Sequence, residues 1–486
     1  MSVRGLLVVF LVVVAIGVAG LSFLRCEGSA PTVAPQGALA VGRQPRTLVL
    51  DVGDEGAGLR SLKVEVVQGS AAATVLERVF PGGLVGGGAT KPSRERVEVP
   101  LDPKVLALQE GEAVLRVTAR DWAWRGLFSG NETVADLPLA VDLKPPRVAI
   151  ENGQTYLQRA GSGLAVYSLS EDVTRDGVDV AGAFFPGRPY PGSDPARRRR
   201  VAFFAIRHDA PEDPPIRVVA EDSAGNVTAQ GWTTFFKERK FPPVELNLPP
   251  SFFERKVREL AEARGVETSD LVAAFQKINK EGRAEDEQRI RSKLGESAPE
   301  RLWSGAFEQL RNSKVTSEFA ERRSYFDQGR QISEATHFGY DLAVTAAGPI
   351  TASNAGRVIA AEDIGIYGGT VLIDHGLGLT SLYGHLSRID VNVGDVVAKG
   401  QQIGLSGQTG LAGGDHLHFA ILVGDTYVDP VEWWDPKWIR EKIDALMPPE
   451  PASAPAAASP AGGAAPAASP ATAPAAGATG AATTAP

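Results

Sequence analysis

The sequence predicts a mostly β, multidomain protein, and three observations carry that reading. Short alternating apolar runs broken by Gly and Pro fill residues 31–240, and they return from about Val315 to Trp438. A stretch with helical periodicity separates these two regions. Five of the six histidines, His337, His375, His385, His416 and His418, fall in the second β region; His208 lies elsewhere. With 486 residues, 43% of them apolar and 22% charged, the chain can build several ordinary cores. A formal net charge of −8 argues against a nucleic-acid partner, which calls for a basic balance.

The N-terminus, 1–30, reads as a membrane anchor. "GLLVVFLVVVAIGVAGLSFL", Gly5 to Leu24, carries no charge and is flanked by Arg4 and Arg25. At 1.5 Å per helical residue such a run covers the ~30 Å hydrocarbon core. It exceeds the usual signal-peptide core of about 7–15 residues. Leu24-Arg25 precedes Cys26 where a processing site would place small residues, so the anchor is expected to stay uncleaved. Arg4 inside and the long domain outside is the expected orientation. Cys26 is the only cysteine, which excludes an intramolecular disulfide.

Two β modules are expected next, at 31–142 and 143–240. "SLKVEVV" (Ser61 to Val67) and "AVLRVTA" (Ala113 to Ala119) alternate as half-buried strands do. "RVTARD" (Arg116 to Asp121) recurs as "RVVAED" (Arg217 to Asp222), and "DLKPPRVAI" (Asp142 to Ile150) opens the second copy. Strand, Asp-containing turn, Gly-Asn and strand again resembles bacterial immunoglobulin-like sandwich modules. The run Arg197 to Arg200 reads as a solvated strand edge. A helical segment follows at 241–312. Ser251 and Glu254 stand in capping-box spacing, Val257, Leu260 and Ala261 recur at helical intervals, and Gly265 closes the run. The Ala/Pro-rich tail, 449–486, has no apolar pattern able to offset ordering entropy and reads as disordered.

The C-terminal domain, 313–448, holds the histidine signal. On a strand, His416 and His418 of "DHLHFAI" project from one face, while Leu417, Phe419 and Ile421 fill the other. In "THFGYDLAV", His337 and Asp341 share parity if the segment is extended, and Gly339 between them leaves room for close approach. Two imidazoles and one carboxylate make three protein ligands, the number a catalytic zinc keeps when one position stays open.

"HFGYD", "YGHLS" and "DHLHFAI" resemble the signature of the LytM/lysostaphin-type zinc endopeptidases, which cut peptide bonds in peptidoglycan; the likeness covers about Ser317 to Trp434. The resemblance implies an antiparallel β peptidase domain in which His337, Asp341 and His418 bind Zn2+ and His385 and His416 are catalytic. It implies peptidoglycan stem peptides as substrate. With the anchor, it places the chain in the inner (cytoplasmic) membrane as a single-pass protein, its catalytic domain in the periplasm. Two positions depart from the family pattern. Asp415 replaces the usual proline before H-x-H, and F-G-x-R appears as Phe319-Ala320-Glu321-Arg322. Tyr383 and His375 are read as structural. Some relatives of this type are non-enzymatic activators of cell-wall amidases, but these lack ligands, and all five positions are present here. "VNVGDVVAKGQQIG" resembles biotinyl/lipoyl carrier hairpins, yet Lys399 in "VAKGQ" is a poor match to a modified lysine.

Overall fold

In the computed structural model, residues 3–90 and 93–447 are described, the side chains of 3, 4, 18 and 21–24 excepted. Strands dominate. The first β unit pairs Thr32–Gln36, Arg46–Asp54 and Ser93–Leu101 in one sheet. A second sheet runs Ala40–Val41, Glu132–Val141, Gly111–Asp121, Leu59–Gln68 and Ala71–Val79. Alternation places Leu62, Val64 and Val66 inside while Lys63 and Glu65 stay partly exposed. With Leu50, Val97 and Leu115 they form a core confined to this unit.

The second unit also has two sheets, each four-stranded. One runs Val148–Gly153, Ser162–Leu169, Arg199–Ala205 and Arg188–Pro189; the other Ala183–Pro186, Arg175–Val180, Ile216–Glu221 and Val227–Gly231. The two units repeat one corner in detail. Asp121 accepts both the backbone and side-chain N–H of Asn131, and Asp222 does the same with Asn226. Thr133 and Thr228, two residues further on, each donate to a proline carbonyl, Pro31 and Pro146. The arginine run is internally paired, with Arg198, Arg199 and Arg200 bound to Asp172, Glu151 and Asp176.

The second unit does not own its core. One apolar cluster runs from Leu157 through the helices to Met447. Phe203 packs on Trp433 (ring centroids 5.8 Å), and the Trp433 Nε1–H donates to Ser162 Oγ. The helical segment has two runs, 250–263 and 271–294. Ser251 is not the cap that the spacing suggests. Pro249 occupies that position and the helix starts at Pro250, whose fixed φ and missing N–H suit a first turn. Asp270 caps the second run by accepting the Val272 and Ala273 amides.

In the C-terminal domain an antiparallel sheet runs Lys314–Ser317, Tyr340–Ala343, Leu417–Val423, Leu379–Leu386, Gly369–Asp374, Gly356–Asp363 and Val396–Val397. Leu417–Val423 and Leu379–Leu386 are buried at every residue, so any polar side chain on them needs an internal partner. A linker strand, Pro243–Asn247, pairs in parallel with Arg322–Asp327 and carries the following residues across the sheet's open face.

The expected single-pass anchor needs correction, and with it the inner-membrane placement. Among the described residues no helix is long and apolar enough to cross a membrane, a task for about 20 apolar residues. The helix Val3–Arg25 ends on a residue that belongs to the first β unit. Arg25 is 3% exposed, donates to the Trp122 carbonyl at 2.6 Å, and its own carbonyl accepts the Trp124 amide. It is therefore a packed structural residue of the first β unit. The tail expected at 449–486 lies outside the described residues.

Candidate metal centre and its cleft

The sheet brings together the three predicted positions on its strands, Asp341, His385 and His418. Asp341 pairs with His418 across strands Tyr340–Ala343 and Leu417–Val423, and Gly384 pairs with His418 on the other side. His337 enters from the turn before Tyr340. Gly339 permits that approach: a Cβ there would lie 2.6 Å from His418 Cε1 and 2.7 Å from the Phe419 carbonyl oxygen. His385 sits at a register shift between Leu379–Leu386 and Gly369–Asp374 and has φ 63°. A bulge with a left-handed residue re-aims a side chain, here inward, at a backbone cost of order 1–3 kcal/mol.

Three atoms converge. His337 Nε2 lies 2.9 Å from Asp341 Oδ1 and 3.0 Å from His418 Nδ1, and His418 Nδ1 lies 3.0 Å from Asp341 Oδ1. His337 Nδ1 faces the Glu318 carbonyl at 3.0 Å, so it carries the proton and leaves Nε2 as a lone pair. His418 Nε2 is buried with no partner. A buried triangle of electron-pair donors needs a positive charge at its centre. Zinc at about 2.0–2.1 Å from N and O donors spaces its ligands by little more than 3 Å, so the donor set fits.

Two further imidazoles flank the triangle. His416 donates from Nδ1 to the Gly414 carbonyl at 2.8 Å and holds Nε2 3.5 Å from Asp341 Oδ1. His385 donates from Nδ1 to the Thr409 carbonyl at 2.9 Å. Their ring centroids are 4.7 Å apart. Burial pushes the His385 pKa down, and the neighbouring His416 and His418 push it further, well below the usual imidazole range. Burial also acts on His416, but the hydrogen bond and charge of Asp341 outweigh it and raise the pKa. Burial brings His418 down to about 4 against the pull of Asp341. Asp341 is held well below the carboxylate range: burial opposes this, but the charge and hydrogen bond of His337 and the bonds of His416 and His418 prevail.

Sequence reasoning missed two residues of this site. Arg323 donates to Asp341 Oδ2 at 2.9 Å and to Glu321 Oε2 at 3.2 Å, so only Oδ1 of Asp341 faces the triangle. The family-like pattern pointed to its neighbour Arg322. Tyr367 packs its ring 5.4 Å from His418 and donates its hydroxyl to Glu287 on the helices at 2.5 Å. The adjoining Arg322-Arg323 pair was a readable signal for the first; nothing local marks the second. Asp415, the departure before H-x-H, ties two loops by accepting Ser406 Oγ–H and the Ala347 amide. His375 is held by the Ala355 carbonyl and Ser381, and Tyr383 by Ser353 and Ser381, away from the triangle.

The five residues open on a cleft of about 320 Å³, whose far wall comes from Leu246–Phe252 and Arg255. A closed structural metal site would have four protein ligands and no such cleft. Three candidate ligands, an open side and two pinned imidazoles fit a metallohydrolase-type centre.

Residues 335–430 match peptidase family M23, and the C-terminal part of the chain is an M23 domain of the LytM type. Peptidoglycan DD-endopeptidase ShyB of Vibrio cholerae is 34% identical over 119 residues, 24% of this chain and 27% of that protein. ShyA of the same organism is 37% identical over 110 residues, 23% of this chain and 25% of that protein. The match thus spans about a quarter of the length of these relatives. A crystal structure of a putative M23 peptidase from Pseudomonas aeruginosa is 24% identical, with a TM-score of 0.35, covering 56% of this chain and 93% of that one. Peptidases of the M23 family are zinc metallopeptidases, and the His337–Asp341–His418 cluster fits that cofactor.

Proposed function

We propose that the protein is a zinc-dependent endopeptidase that hydrolyses peptide cross-links of peptidoglycan. The observation that carries this reading is the His337–Asp341–His418 triangle beside two carbonyl-pinned histidines in one open cleft. His337, Asp341 and His418 hold the metal. When bound, zinc lowers the pKa of a coordinated water toward ~7 and polarises the scissile carbonyl. His385 and His416 keep Nδ1–H fixed on main-chain carbonyls, so each can take up or release a proton at Nε2. Arg323 holds the second oxygen of Asp341 out of the metal's reach. The relatives named as peptidoglycan DD-endopeptidases support cross-links as the substrate.

The non-enzymatic activator reading is disfavoured by the presence of all five positions. We further assign 31–142 and 143–240 as immunoglobulin-like modules, 241–312 as a helical segment and 313–448 as the peptidase domain. The repeated Asp–Asn corner supports the first two assignments. Mass spectrometry of muropeptides after incubation with the zinc-loaded full chain should show loss of cross-linked species. His418→Ala should leave them intact. An inert wild-type protein that holds zinc would overturn the enzyme reading.

A further inference from the structure

We infer that the first β unit carries a second metal site, for a calcium-type divalent cation, built from Glu27, Asp54 and Asp121. The three come from separate places: just after the N-terminal helix, the end of strand Arg46–Asp54, and the end of strand Gly111–Asp121. Each offers a carboxylate oxygen within 4.8 Å of the other two. Asp54 and Asp121 are 2% and 0% exposed.

An orphaned oxygen points to a missing ligand. Asp54 spends Oδ2 on the amides of Gly56 and Gly58, at 3.1 and 2.6 Å, while its Oδ1 is buried with no partner. An anionic oxygen left that way beside two other carboxylates is costly unless a cation meets it. Arg25 donates Nη2 to the carbonyls of Trp122 and Leu84 rather than to the acids, and its charge at Glu27 is outweighed by burial and by Asp54 and Asp121. Burial and the charge of Asp121 hold the Asp54 carboxyl above its usual range, and burial with the charges of Asp54 and Asp121 does the same for Glu27.

The backbone is shaped around the cluster. Glu27 accepts the Ala57 amide, and a Cβ on Gly56 would lie 1.4 Å from Glu27 Oε2, so a side chain there would push the Glu27 carboxylate out of the cluster. Oxygens on one calcium ion, bound at about 2.3–2.6 Å, lie at most about 5 Å apart, which this cluster satisfies. An all-carboxylate donor set without imidazole or thiolate selects a hard cation over zinc. The second β unit repeats the acids as Asp142, Glu171 and Asp222. Asp222 binds Asn226 as Asp121 binds Asn131, but among the described residues none of Asp142, Glu171 and Asp222 has an orphaned buried oxygen like Asp54 Oδ1, so that cluster carries no assignment. At the first site the ion pins Glu27, and hence the chain's entry, onto the first β unit.

The test is calcium binding by the metal-stripped full chain, followed by titration calorimetry with calcium chloride alone and by thermal unfolding. Glu27→Gln keeps size and the Ala57 contact. It should weaken one calcium site by about tenfold or more and abolish the calcium-induced rise in melting temperature of the first unit. Asp54→Asn should do the same. His418→Ala should leave calcium binding unchanged, which separates this site from the zinc centre and from the peptidase reading. Wild-type protein that binds no calcium, or a folded Glu27→Gln that binds as much as wild type, would overturn the inference. Loss of calcium binding in His418→Ala would overturn it too.

Discussion

His416 and His418 are one leucine apart, yet their ring nitrogens meet different partners. His418 Nδ1 stands in the triangle with His337 and Asp341, whereas His416 gives Nδ1–H to Gly414 and approaches Asp341 only at 3.5 Å. Replacement of His418 by alanine should therefore abolish stoichiometric zinc, measured by metal analysis after dialysis. His416→Ala should retain zinc while lowering kcat by about 10²–10⁴. Equal zinc loss in both would sink the division. Arg323 acts one step further out. Arg323→Ala frees Asp341 Oδ2 and should weaken zinc binding by about 10–100-fold, read by competition with a chelator, and Arg323→Lys should restore part of it. The candidate ligands were legible as H-x-x-x-D and H-x-H because strand parity and ligand count are local properties. The Arg323 contact was not, because it depends on two strands meeting in the fold; nor was the left-handed backbone that turns His385 inward.

At the scale of elements, the helical segment is part of the cleft. The linker strand Pro243–Asn247 delivers Leu246–Phe252 to its far wall. The Lys256 ammonium reaches across to the Gln408 carbonyl on the catalytic side, and Asp286 accepts the Ile366 amide beside Tyr367. Access for a bulky cross-linked substrate then depends on how firmly this wall is held. Lys256→Ala releases one fastening and removes no candidate metal ligand. It should raise kcat/KM on intact sacculi several-fold, by about 1 kcal/mol for one charge-assisted hydrogen bond, and leave cleavage of a short soluble cross-linked peptide unchanged. Equal rates on sacculi for variant and wild type would count against a restricting wall. Helical periodicity revealed that such an element exists. Its starting residue moved to Pro250 because proline sets the first turn better than the Ser251 side chain caps it, and its place over the cleft followed from a parallel strand pairing that no local pattern announces.

For the whole molecule, the two β units behave differently although their sequences repeat. The first encloses its own core; the second shares one with the helices and the peptidase domain. Glu432 sits at that shared boundary, where Oε1 accepts from Gln158 and Oε2 accepts the Ser162 amide at 2.7 Å. Burial raises its pKa from 4.5 to about 7, against the lowering effect of those two hydrogen bonds. A carboxyl whose folded pKa exceeds its unfolded value binds its proton more tightly in the folded state. Its contribution to stability is fully present below about pH 4.5 and is lost as pH rises through about 7. The stake is about 3 kcal/mol across that window. Glu432→Gln removes the titration at the cost of about one hydrogen bond. Urea unfolding of the second core should therefore show wild type losing stability between pH 5 and 8, about 3 kcal/mol more than the variant loses. Parallel pH profiles for the two proteins would show that Glu432 does not hold its proton at the boundary.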